Sequence, residues 1–281
     1  MTGQQAESRA EQAEGSAGGL YRPVGSGFVP APVTAGPWRS DAQHGGPPAA
    51  LLTHLCQQHV AAGETIARLS VNLLTGIPLA PLDAESSRAD VSRRVSTVTA
   101  LLSASGRPVA KATALLLTTG EVPPPTWSAE APPDRLWSDF AVTVAPNWAA
   151  RSDSPAFHRD GIEHRFVEGA FGQAGPALDW VRLKQPVVEG VAPSAHQRVM
   201  AVVDVGSGIS SAYRPEEGFG MINADLNVAF VTEPTGDWFL LDAATSIGSF
   251  GTGLAVTRVS DESGLVALAT QSLLGMPFGP R

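Results

Sequence analysis

Asp204, Asn223 and Gln271 each interrupt an otherwise apolar stretch in the second half of this 281-residue chain. Asp204 follows Val199, Val202 and Val203 and precedes Gly206-Ser207-Gly208, the pattern of a helix that stops at glycine. A carboxylate there faces the negative end of the helix dipole, at a cost of roughly 0.3–1 kcal/mol. An acid held in such a place suits general-base work. The same spacing also suits an acid turned to solvent or bonded to the Gly206 loop. Ile222 to Val231 reads as a strand, with Asn223, Asp225 and Asn227 on one face and Ala224, Leu226 and Val228 on the other. Burying unpartnered polar groups costs roughly 1–3 kcal/mol each, so the polar face must meet water, a polar network or a ligand. Gln271 breaks the run Val266–Leu274. An edge-strand Gln facing water, and an Asn223–Asp225 brace on a turn, fit the spacing as well.

Other chemistries lack their residues. The chain has no Gly-x-Ser-x-Gly and no Gly-Lys-Ser/Thr. Gly248 to Gly253 is glycine-rich without a phosphate-binding lysine and reads as a hairpin. The six histidines show no metal-ligand spacing, and His54 and His59 fall off a common helical face. Cys56 is the only cysteine, which rules out an intrachain disulfide, and it sits in an apolar helical pattern that favours a buried side chain over a nucleophile. No metal and no cofactor are expected. A hydrophobic content of 43% supports a core, and a net charge of -8 argues against nucleic acid and anionic membrane surfaces as partners. No charged start with an apolar run marks a signal peptide, and no stretch is long enough to span a bilayer, so a cytoplasmic location is expected.

These residues need elements to position them. Residues 1–19 read as a disordered tail. Pro47 and Pro48, after His44-Gly45-Gly46, start a helix whose face carries Leu51, Leu55, Cys56 and Val60. Strands follow at Ala67–Leu74, Ala89–Ser103 and Pro108–Leu117, with a turn at Gly106. A Pro-rich linker covers 120–138. The order then recurs: strands at Glu163–Gly169 and Ala177–Leu183, a helix from Pro193-Ser194 to about Asp204, then strands at Met221–Val231, Trp238–Ala244, Gly253–Ser260 and Leu265–Leu274. Val109–Leu117 matches Val266–Leu274 at six of nine positions. The fold class is therefore α+β, a helix wrapped by antiparallel strands, twice. Residues 20–119 and 139–281 form the two repeats. In that alignment Gln58 lies opposite Asp204, Ala114 opposite Gln271, and Arg68 loosely opposite Asn223. The acid and both amides belong to the second half, which places the chemistry there.

The order of His44-Gly45-Gly46, Val203-Asp204, Asn223-Ala224-Asp225 and Leu265-Val266-Ala267 leading to Gln271 resembles the thioesterase II-type acyl-CoA thioesterases, from about Tyr21 to Met276. The resemblance implies a double hot-dog fold. It implies hydrolysis of acyl-CoA by water, with Asp204 as the acid, Gln271 as the amide on the last strand, and Asn223 where the best-known members have Thr. Backbone N–H groups near Gly45 and Gly46 would bind the substrate's oxyanion. Coenzyme A enters as part of the substrate, and a homo-oligomer, dimer or higher, is expected. Chain length would be set between helix and sheet by Leu51, Leu55, Val199 and Met200. Two other readings stand beside this one. One is a non-hydrolysing acyl-CoA binding protein. The other is an acyl-CoA hydratase, whose Asp/His pair would here be Asp204 with His196, eight residues before it.

Overall fold

A computed structural model describes residues 18–37, 39, 41–120, 122–123, 131–146 and 154–277. Nearly all of the expected tail, and positions 121 and 124–130 of the expected linker, lie outside the described residues.

The first half contains β1 (Tyr21–Val24), β2 (Gly27–Pro30), α1 (Gly46–Gln57), β3 (Glu64–Leu73), β4 (Leu82–Ser92), β5 (Val95–Ala104) and β6 (Arg107–Thr118). The second contains β7 (Ile162–Glu168), β8 (Ala177–Leu183), α2 (Ala195–Val202), the one-turn α3 (Gly206–Ile209), β9 (Phe219–Asn223), β10 (Asp225–Phe230), β11 (Trp238–Ile247), β12 (Thr252–Asp261) and β13 (Gly264–Pro277). All strands join one antiparallel sheet in the order β1-β2-β4-β5-β6-β3-β10-β13-β12-β11-β8-β7, with β9 also on β13. The two halves thus repeat one strand order and meet edge to edge where β3 pairs with β10, from Asp225↔Asn72 to Ala229↔Arg68. Each half is a helix covered by an antiparallel sheet, which is the double hot-dog arrangement.

α1 is buried almost all round, from Gly46 to Thr53 and again at Leu55 and Cys56, as befits a helix without a polar face. Its Pro47 and Pro48 occupy the first turn, where a missing N–H costs nothing. Ser194 caps α2 by accepting from the Gln197 N–H at 3.1 Å. The helices run antiparallel. Gln57, at the end of α1, bonds Gln197 (2.7 Å) and Ser194 (2.9 Å) at the start of α2. At the other end Gly46 lies against Ala201, and a Cβ there would stand 2.2 Å from the Ala201 carbonyl oxygen.

Three elements differ from the sequence reading. Ala89–Ser103 is not one strand: β4 and β5 turn at Arg93 and Arg94, and most of β4 is a half-exposed edge ribbon whose charged outer residues hide its period. The helix does not stop at Gly206. After α2 the chain tightens into a 3-10 turn at Val203–Val205 and continues as α3, because Gly206 packs on Thr257, where a Cβ would lie 2.4 Å from Oγ1. The strand Ile222–Val231 breaks at Ala224. The break reverses the alternation, so Asn223 turns inward together with Leu226 and Val228. Asp225 instead accepts the Ser272 backbone N–H at 2.6 Å and the Asn227 amide at 2.9 Å, bracing β13.

The core joins both helices to the inward residues of the sheet. Leu51, Leu55, Val199 and Met200 belong to it and are not among the residues lining the cavity beside Asp204. Trp137, at the end of the stretch read as linker, stacks on Trp238 at 5.0 Å.

Two outcomes are expected. Gly46→Ala should lose about 1–3 kcal/mol to overpacking, seen as a lower urea midpoint; an unchanged midpoint would mean the helices do not approach this closely. Burial pushes the Cys56 thiol up to about 12, so an aromatic disulfide reagent should leave it untouched in the native protein and modify it on unfolding.

Candidate active site

The 3-10 turn presents Asp204 to a single point shared by both halves, although the residue is only 4% exposed. Its Oδ1 accepts the Asn223 amide at 2.6 Å and the Gln271 amide at 3.3 Å. Its Oδ2 meets His44 Nδ1 at 2.7 Å. Gln271 points inward from β13, between Ala269 and Leu273, and is fixed at both ends of its amide. Nε2 donates to the Asp204 carbonyl at 3.0 Å, and Oε1 accepts the Ser207 N–H at 3.0 Å. A Gln facing water at a sheet edge is thereby excluded.

The halves differ here in a way the β-registers make explicit. Asn223 pairs with Leu273, and Ile66 pairs with Leu116, the residue equivalent to Leu273. The counterpart of Asn223 is therefore Ile66 rather than Arg68. Ile66 and Ala114 fill with apolar atoms, at 2% and 0% exposure, the places that Asn223 and Gln271 hold in the second half.

Gly45 and Gly46 part company. Gly45 lies on the cavity wall with its Cα against Asp204, and a Cβ there would be 2.8 Å from both carboxylate oxygens. Gly46 is buried away from that wall, between Ala201 and the Phe157 ring. Both stand at the N-terminus of α1, whose positive end favours an anion. The carboxylate at the end of α2 is thus compensated by the start of α1, which the chain read in isolation did not reveal.

The cavity beside this cluster has a volume of about 740 Å³. Leu73, Ile77, Phe171, Ile209, Met221 and Ile222 contribute apolar wall, and His44, Asp204, Asn223 and Ser207 form the polar end. Gln271 does not reach the wall; it stands behind Asp204 and holds it.

His44 is the site residue that sequence reasoning passed over. Its signal was its place at the head of the first helix, but nothing in the letters joins it to Asp204. His196, eight residues before Asp204 and poorly placed to pair with it, meets Glu233 at 3.1 Å and the Phe230 ring. Two further histidines were missed. His164 Nδ1 contacts Asp179 at 2.6 Å and its Nε2 contacts the His158 carbonyl at 3.2 Å; both His158 and His164 line the cavity. Burial pushes the Asp179 carboxyl up. Burial, with His44 adding to it, brings His158 down to about 4. Among the described residues no group of three His, Cys, Asp or Glu is placed to hold a metal ion.

The sequence model of the acyl-CoA thioesterase C-terminal domain matches residues 133–274, and that of the N-terminal domain matches 34–117. This chain belongs to the acyl-CoA thioesterase family, a family of thioester hydrolases. Three solved structures share its fold. A hot dog protein of unknown function from Alicyclobacillus acidocaldarius has TM-score 0.70 and 19% identity, covering 93% of this chain and 96% of its own. A proposed thioesterase from Novosphingobium aromaticivorans has TM-score 0.69 and 20% identity, covering 91% and 98%. The tesB protein of Mycobacterium avium subsp. paratuberculosis has TM-score 0.61 and 16% identity, covering 92% and 96%. A comparison with curated proteins returned no match.

His158 has a consequence for stability. Its folded pKa of about 4 lies below the ordinary 6.5, so between those values the unfolded chain binds more protons and stability falls as the pH falls. The loss reaches roughly 3 kcal/mol. The urea midpoint should therefore drop from pH 7 to pH 4, and His158→Gln should flatten that drop; an equal drop in the variant would contradict it.

Proposed function

We propose that this protein hydrolyses acyl-CoA to the free acid and coenzyme A by Asp204-assisted attack of water on the thioester. One observation carries the reading: a carboxylate at the polar end of an apolar-walled cavity, held by Asn223, Gln271 and His44 from both halves of the chain. The acyl chain occupies the cavity, with its thioester carbon against the Asp204 cluster. Asn223, on the wall, orients the water. Gln271 acts through Asp204 as a positioning residue. The Gly45 backbone N–H, on the cavity wall at the head of α1, binds the oxyanion, since Pro47 and Pro48 carry no N–H and that of Gly46 points at His44. No cofactor is needed beyond the coenzyme A of the substrate.

Self-association and a cytoplasmic location complete the proposal. Leu254, Val256, Leu268 and Leu274 leave apolar side chains exposed on β12 and β13, which a second copy could cover. Among the described residues no helix is long and apolar enough to cross a membrane.

The Asp204–His44 contact also favours a second reading, hydration of an enoyl-CoA. Free-thiol release from acyl-CoAs of increasing length separates the two. Wild type should release thiol with a preferred length. Asp204→Asn should lose about 10²–10⁴-fold in turnover, and Asn223→Ala about 10–100-fold through one bond to a charged group. Full activity in Asp204→Asn would sink the assignment. Loss of enoyl absorbance without thiol would support the hydratase, and saturable binding without turnover would support a binding protein.

A further inference from the structure

We propose that His44, not Asp204, takes the proton from the attacking water, and that Asp204 orients the imidazole. This rests on the thioester-hydrolase reading and sharpens it.

The donors around Asp204 argue for the exchange of roles. Oδ1 already accepts from two amides and Oδ2 faces His44. The Cα of Gly45 covers both oxygens. The carboxylate side chain is 2% exposed, against 12% for the imidazole. A water could reach Asp204 only by displacing one of these partners, whereas the imidazole is the more open end of the pair. A carboxylate at 2.7 Å from Nδ1 selects the tautomer with the proton on Nδ1, which leaves the Nε2 lone pair as base. The Gly46 N–H also points at Nδ1, from 3.3 Å. The carboxylate contact is shorter and charge-assisted, so it decides the tautomer. The Phe157 ring, 5.4 Å away and tilted, fixes the plane of the imidazole.

The titratable and charged groups that share the cavity are Asp204, His158, His164, Tyr213, Arg39 and Glu216. Arg39 is paired with Asp41.

The proton inventory closes. Nε2 takes a proton from water as the water oxygen bonds the thioester carbon, and the carbonyl electron pair moves onto its oxygen. The tetrahedral intermediate re-forms C=O and breaks C–S. The departing thiolate takes the proton from Nε2, and neutral His44 is restored. Asp204 remains a carboxylate throughout and stabilises the transient imidazolium.

His44→Asn separates this role from a structural one, because its amide can reproduce the Nδ1 bond to Asp204 but supplies no base. Thiol release and its pH dependence should be measured for wild type, His44→Asn and Asp204→Asn, with melting temperatures as a folding control. The expected result for His44→Asn is a loss of about 10²–10⁴-fold, with the residual rate rising in proportion to hydroxide. Activity within threefold of wild type, or a loss that keeps the wild-type pH shape, would overturn the base role while leaving the hydrolase reading intact. A wild type that releases no thiol from any acyl-CoA would overturn both. Should His44→Asn melt below the assay temperature, His44→Gln carries the same two readouts.

Discussion

Taking a carboxylate out of water costs several kcal/mol unless donors replace the water, and Asp204 is nearly withdrawn from solvent. The architecture around it supplies that replacement. The antiparallel helices bring the N-terminus of α1 onto the end of α2. Glycines at 45 and 46 permit the approach, since a Cβ at either would collide with the carboxylate or with Ala201. Gly206 lets the turn that carries Asp204 settle on β12. Asn223 reaches the carboxylate because the strand breaks at Ala224, and Gln271 because its amide spans the Asp204 carbonyl and the Ser207 N–H.

The repeat explains why there is one such cluster and not two. Both halves have the same strand order and each brings a helix to the sheet. At matched positions the first half carries Ile66 and Ala114, which pack without polar partners. A second acid there would have no donors. The first half instead lends the head of its helix, with His44 and Gly45, to the acid of the second. The Asp204 cluster is therefore a property of the joined halves, and neither hot-dog contains it alone.

The cavity departs from the helix-to-sheet interface for a packing reason. Leu51, Leu55, Val199 and Met200 are buried in that interface. Space opens at the end of the helix pair, where Gly36, Gly76, Gly172, Gly208, Gly218 and Gly220 contribute no side chains to fill it. Met221 and Phe171 line that space, and the helical leucines do not.

The sequence alone determined the local terms. Apolar period, proline at helix starts and the match of Val109–Leu117 to Val266–Leu274 specify two helix-plus-sheet repeats, because those signals act within a few residues. They also single out Asp204 and Gln271, since a polar residue inside an apolar run is conspicuous wherever it occurs. Tertiary structure decided everything that depends on the pairing of distant segments. Asn223 faces inward because the chain fits one extra residue between its pair with Leu273 and the Asn227–Thr270 pair on β13, which no alternation pattern records. The continuation of the helix through Gly206 depends on a close approach to Thr257. His44 joins Asp204 only once the two helices lie antiparallel, and His158 and His164 join the cavity only once the chain before β7 folds back beside them. Local patterns report which residues prefer to be buried; the three-dimensional fold decides which buried polar groups find one another.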